Sequence, residues 1–167
     1  MKKIKNTKVV LVVLAIMVLL GGVVMFRPKT PAVSDTQTYT DTDYGFSFTY
    51  PREHETRPFS DLEDTKTILV ENHQTKQGLQ VFISSFDEDI VLTPDRIKKE
   101  MPDLVVLEPQ NRSLGGVTGV VFRSTNALDV ESYEFWIVHG GKLYQVSAPI
   151  ANKSLFEEMI TTWHWNE

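Results

Sequence analysis

The sequence predicts an α+β domain, a mainly antiparallel sheet flanked by helices, preceded by one transmembrane helix. Three patterns predict it: an uncharged apolar run near the N-terminus, a series of short segments alternating apolar and polar residues, and an amphipathic C-terminal segment. Glycine, proline and polar clusters separate the alternating segments, as turns separate antiparallel strands.

The apolar run extends from Val9 to Phe26, eighteen residues without a charge. As a helix rising about 1.5 Å per residue it covers roughly 27 Å, close to the ~30 Å hydrocarbon core of a bilayer. A helix is also the form that satisfies its own backbone hydrogen bonds where no water can. Lys2, Lys3, Lys5 and Lys8 precede the run, while Arg27 and Lys29 follow it. The positive-inside tendency then places residues 1–8 in the cytoplasm as a basic tail and the C-terminal domain outside it. A cleaved signal peptide shares the basic start and apolar stretch. The run ends Val24-Met25-Phe26-Arg27-Pro28, without the small residues that cleavage needs, and Ala32-Val33-Ser34 is a weak later site. The reading adopted is an uncleaved single-pass anchor; either outcome leaves the domain outside the cytoplasm. Eight residues before the helix leave no room for a cytoplasmic output domain, so a sensor role would need a partner in the membrane.

Residues 27–43 are rich in Thr, Asp and Pro, with Ala32, Val33 and Tyr39 as their apolar side chains. So little apolar surface cannot offset the entropy of ordering a chain, which predicts an extended linker. The folded domain is then expected over residues 44–167. Asp41-Thr42-Asp43-Tyr44-Gly45 begins like a calcium loop, but its twelfth position is Arg52 where a glutamate is required, so it reads as a polar turn.

Within the domain, Phe46 to Tyr50 alternates aromatic and polar residues and ends at Pro51, a half-buried strand. Thr67 to Glu71 and Leu79 to Ser85 are two more, joined by a polar turn, with Leu79, Val81 and Ile83 on one face. Thr93 as N-cap and Pro94 in the first turn start a short helix, in which Ile97 and Met101 share a face and Pro102 sets the limit. Val105 to Leu107 is a short apolar stretch, and Val117 to Arg123 is a strand entered through Gly115-Gly116. Tyr133 to Val138 and Leu143 to Ala148 form a hairpin through His139-Gly140-Gly141-Lys142. Ser154, with Glu157 three residues on, gives a capping-box pattern. It opens a terminal helix whose Leu155, Phe156, Met159, Ile160 and Trp163 share a face. Trp136 lies opposite Tyr133, Phe135 and Ile137 on its strand, which predicts that both faces of the sheet are covered; an aromatic-lined recognition cleft between sheet and helix is the alternative.

The chain has no cysteine, which excludes disulfides, thiolate metal sites, cysteine nucleophiles and a lipidated N-terminal cysteine. Residues 1–29 hold six of the 17 Lys and Arg and no acid, so the remainder carries eleven basic groups against all 22 Asp and Glu, a net of −11. Such a domain repels a phosphodiester backbone, and nucleic acid is not expected as a partner. His54, His73, His139 and His164 show no metal-ligand spacing, and no serine sits in a nucleophile elbow. Asp61-Glu63-Asp64 and Asp87-Glu88-Asp89 read as solvated loop surface. No catalytic, cofactor-binding or metal-ligating residue is assigned.

Several short motifs occur in a suggestive order: GFSFTYP (Gly45 to Pro51) after a polar linker, Gly-Val-Thr-Gly (Gly116 to Gly119), and Glu-Ser-Tyr-Glu (Glu131 to Glu134). Gly-Lys-Leu-Tyr (Gly141 to Tyr144) and a terminal helix ending Trp163-His164-Trp165 complete the series. Over about residues 43–167 they resemble the PsbP-like domains of small bacterial envelope proteins. The resemblance implies an α-β-α sandwich and carries over no site residue. It implies no activity either, since fold alone does not determine one. Bacterial members are often held by a lipidated cysteine, and this chain departs from that pattern. The expected function is a membrane-anchored extracytoplasmic module, non-catalytic and without a cofactor, that binds or scaffolds another envelope component. The alternative is a small envelope hydrolase or metal-dependent enzyme whose site is assembled only in three dimensions.

Overall fold

A computed structural model describes residues 35–60, 64–125 and 129–166. The expected span from Val9 to Phe26 lies outside them, and among the described residues no helix is long and apolar enough to cross a membrane. Residues Ala32–Glu167 form one compact unit.

Seven antiparallel strands make the main sheet: β3 (Glu55–Phe59), β4 (Thr65–Glu71), β5 (Gly78–Ser85), β9 (Lys142–Pro149), β8 (Glu131–His139), β7 (Val117–Thr125) and β6 (Leu107–Leu114), in that spatial order. A smaller sheet orders β1 (Thr36–Asp41), β2 (Phe46–Pro51) and β10 (His164–Trp165). Helix α1 (Pro94–Glu100) follows β5, and α2 (Lys153–Thr162) follows a 3-10 turn at Ile150–Asn152. The fold is a mainly antiparallel sheet with few helices, as expected.

The alternation along the strands produces two cores. Ile68, Val70, Leu79, Val81, Ile83, Phe135, Ile137 and Val146 project from one face onto β2 and α2. There Phe46 stacks on Trp163 at 4.3 Å between ring centroids, nearly parallel, and Leu155, Phe156, Met159 and Ile160 are buried along α2. On the other face Val120, Phe122, Trp136 and Val138 pack against Leu92 and Ile97. Trp136 therefore belongs to a second hydrophobic layer, as its opposition to Phe135 predicted. Helix α1 starts as expected, with Thr93 Oγ1 accepting from the Arg96 amide at 3.2 Å and proline in the first turn.

Four expectations need correction. Residues 36–41, read as part of an extended linker, are strand β1, paired with β2 from Thr36↔Pro51 to Asp41↔Phe46. Threonine and tyrosine suit a pleated edge strand, and Tyr39 joins the aromatic core at 5.3 Å from Phe48. The folded unit thus begins before residue 44. Strands β3 and β6 were not expected because both are edges with few buried side chains and a proline each, Pro58 and Pro109. The C-terminal β10 pairs with β2 through His164↔Ser47 and Trp165↔Phe46. Last, Ser154 does not cap α2. Asn152 occupies the N-cap position without a side-chain cap, its amide donating instead to the Gly78 carbonyl at 2.7 Å. Glu157 turns to Arg112 on β6.

Close packing at one glycine gives a direct check. A Cβ on Gly119 would lie 2.5 Å from the Trp136 carbonyl oxygen and 2.9 Å from Ile137 Cβ on the adjacent strand. Neither neighbour is a flexible chain end. Gly119→Ala is expected to destabilise the domain by about 2–4 kcal/mol in denaturant unfolding, as overpacking against backbone does; an unchanged midpoint would contradict this packing.

Candidate functional site

Three hairpin ends and the C-terminus meet at one end of the sheets. The β1–β2 turn brings Asp43, Tyr44 and Gly45; the chain just after β3 brings Ser60 and the start of β4 brings Lys66; the β8–β9 turn brings His139, Gly140 and Lys142; Tyr144 and Asn166 complete the wall. They enclose a cleft of about 590 Å³, within the usual size of small-molecule sites. The tight β8–β9 turn is possible because Gly140 and Gly141 both take left-handed backbone angles, φ 57° and 72°.

The floor of the cleft is fixed by a buried ion pair. Lys66 Nζ lies 2.6 Å from Asp41 Oδ2, with the aspartate side chain 1% exposed and the lysine side chain 16%. The Tyr39 hydroxyl donates to the same oxygen at 2.9 Å, and the Tyr44 amide donates to Oδ1 at 3.2 Å. Burial alone would raise the Asp41 pKa, but the lysine and these donors outweigh it and hold the carboxyl below its ordinary 3.8. Burial, then the same carboxylate, pushes the Tyr39 phenol well above its usual range, so it remains a neutral donor.

Tyr44 connects this floor to the opening. The Lys66 and Lys142 ammoniums lie 5.2 Å and 5.9 Å from its ring centroid, within cation–π range. The Tyr144 hydroxyl donates to the Tyr44 carbonyl at 3.4 Å, and burial pushes that phenol's pKa up to about 12. Behind the cleft Trp165 sits 4.1 Å from His139 and 5.0 Å from Tyr144, ring to ring. Its indole N–H is anchored to the Leu114 carbonyl at 3.0 Å.

Sequence reasoning assigned no site residue, and it missed this convergence because the contributing groups span residues 43 to 166. The one legible part was the Asp41-to-Gly45 turn, whose acidic residues serve a lysine. The four histidines stay apart: His54 is buried between β2 and β3, and His73 pairs with Glu55 at 3.1 Å in the β4–β5 turn. His139 rests on Trp165, and His164 is exposed. Among the described residues no group of three His, Asp or Glu is placed to hold a metal ion. Of the acidic runs, Asp61 and Glu63 lie outside the described residues, while Glu88 pairs with Arg96 at 2.8 Å. Ser85 accepts a hydrogen bond from Lys142 Nζ at 2.9 Å. The pair is solvent-exposed and the ammonium is the donor, so it offers the serine no base.

A second polar cluster lies inside the sheet. Glu134 on β8, on the same side of its strand as Trp136, is 6% exposed. It accepts hydrogen bonds from Ser124 Oγ at 3.0 Å, from Trp136 Nε1 at 3.3 Å, and from Ser147 Oγ. No cation pairs with it among the described residues. Burial raises its pKa from 4.5 to about 7, against the pull of Ser147, Ser124 and Trp136. Gln80 and Ser147 stand beside it in register across β5 and β9, and the Gln80 side-chain nitrogen is buried without a partner.

No family model matches the sequence, and no curated protein matches it. In three dimensions the chain is similar to the solution structure of cyanobacterial PsbP (CyanoP) from Synechocystis sp. PCC 6803, with a TM-score of 0.57 and 15% identity. The match spans 84% of this chain and 98% of that one. At that identity the likeness is one of fold, and it supports the PsbP-like architecture that the motifs resembled.

The buried acid makes stability depend on pH in a definite direction. A carboxyl whose pKa is raised by folding stabilises fully below its unfolded value, near 4.5, and that contribution is lost as pH rises through about 7. Glu134→Gln keeps an oxygen for Trp136 and Ser147 and removes the ionisation. The variant is expected to exceed the parent's stability by roughly 3 kcal/mol at pH 8, and the gap should close by pH 4.5. Taking the difference between the two proteins isolates Glu134 from His54, whose burial-depressed pKa acts with the opposite sign. Parallel melting-versus-pH curves would exclude a buried, titrating Glu134.

Proposed function

We propose that this chain is a membrane-tethered extracytoplasmic module that binds or scaffolds another component of the cell envelope and performs no catalysis. The observation that carries the reading is the cleft between the β1–β2 and β8–β9 turns. Its walls are held by a buried ion pair and by the contact of His139 with Trp165, and they present several hydrogen-bonding groups. Rigid walls with a few convergent polar groups suit recognition.

The membrane part of the reading rests on the sequence from Val9 to Phe26 and its flanking basic residues. The cleft lies at the Asp41 end of β1. An envelope hydrolase or metal-dependent enzyme is the alternative, for which Ser60 and His139 in the cleft lining are the side chains to test.

The full-length protein can be tested with a photo-crosslinking residue at Asp43, on the rim of the cleft, and with a control at Lys98 on the exposed side of α1. The expected outcome is recovery in the membrane fraction and a discrete envelope adduct from position 43 that the control lacks. Identical patterns from both positions, or full-length protein in the cytosol without detergent, would contradict the proposal.

A further inference from the structure

We infer that the cleft accepts an anionic oxygen group, a phosphate or a carboxylate, with Lys142 as its principal contact; this deepens the binding-module reading and rests on it. The domain outside the first 29 residues carries eleven basic and 22 acidic side chains, yet two lysines face this one cleft with one lining acid, Asp43.

The two lysines are not equivalent. Lys66 is committed to the buried Asp41 at 2.6 Å, with Asp43 a further 3.7 Å away. Lys142 makes no ion pair among the described residues. Its ammonium holds Ser85 Oγ at 2.9 Å and faces the Tyr44 ring, leaving donor capacity for a ligand. Asn166 is oriented alike: its side-chain oxygen accepts from Ser47 Oγ at 3.2 Å, so the amide donors are the half left for a partner. At the opposite wall the Tyr44 main chain is pinned by Asp41 and Tyr144.

A fixed ammonium and an oriented amide on converging walls form a donor-rich site, and an oxygen anion is the ligand whose lone pairs such donors match. A cationic ligand would meet both lysines, and an apolar one would leave their ammoniums desolvated. Lys66 also works at a distance: its charge, though paired, keeps Tyr44 in place under the opening.

The test uses the full chain, labelled with ¹⁵N-glycine and held in nanodiscs of zwitterionic lipid. Inorganic phosphate and acetate are titrated at constant ionic strength with sodium chloride as the reference. A second nanodisc preparation containing an anionic phospholipid distinguishes a headgroup phosphate from a free one. The Gly140 and Gly45 amides, both on the cleft wall, are expected to shift with saturation in at least one arm while Gly78, on another edge of the domain, stays still. Lys142→Gln should weaken that binding about tenfold, the scale of one charge-assisted hydrogen bond. Asp43→Asn, which removes the lining acid, should tighten it. No saturable shift in any arm, or a shift that Lys142→Gln leaves intact, would overturn the assignment. Were that silence accompanied by a cleft-specific adduct from position 43, the anion would be the wrong ligand while the binding module stood.

Discussion

The contact between Asp41 and Lys66 joins two sheets that no backbone ladder connects. Asp41 ends β1 in the small sheet, and Lys66 opens β4 in the large one. Withdrawing two charges from water costs several kcal/mol each, and such a pair persists where its remaining lone pairs are satisfied. Here Tyr39 and the Tyr44 amide do that, both from the same hairpin. The result is an orientation constraint: β1 and β2 meet the large sheet in the one register that brings carboxylate to ammonium. Because Lys66 and Tyr44 also form the wall of the cleft, the same contact shapes the recognition surface.

Around that contact the energetics divide by face. The aromatic stack of Phe46 on Trp163, with Phe48 and Tyr144 around it, supplies the larger apolar core and ties the chain's last residues to its first strands. Trp165 continues the cluster to the surface beside His139, so recognition geometry and core packing share side chains. The opposite face mixes apolar packing under α1 with a buried polar row of Gln80, Ser147 and Glu134. A buried acid with no cation beside it among the described residues is a cost, offset here by the three donors that reach Glu134.

Segments with an apolar face on the main core were legible in the sequence, because that face repeats every second residue whether the other is half-buried, as in β2, or covered, as in β5 and β8. Phe46 to Tyr50, Leu79 to Ser85 and the Tyr133–Ala148 hairpin all announced themselves in this way. Strands β1, β3 and β6 did not, since an edge strand contributes hydrogen bonds and little apolar surface. The Thr-Gln-Thr-Tyr-Thr run of β1 still carried a signal, in threonines and a tyrosine directly before a turn and a confirmed strand. The cleft was illegible for a different reason. Its members come from segments far apart in the chain, and only the topology makes Asp43, Lys66, Lys142 and Asn166 neighbours. Glu134 lies on the Trp136 face, which the sequence marked as covered; the serines that hold it, Ser124 and Ser147, come from the two neighbouring strands, and no local pattern points to them.

The dependence of fold and cleft on the Asp41–Lys66 pair is open to a double-mutant cycle by denaturant unfolding, using Asp41→Asn, Lys66→Met and both together. Each single change should cost about 3 kcal/mol or more, since it strands a buried polar partner, while the double variant should recover much of that loss. Losses under about 0.5 kcal/mol for Asp41→Asn, or a double variant as unstable as the two losses added, would show that the sheets are held together by other means.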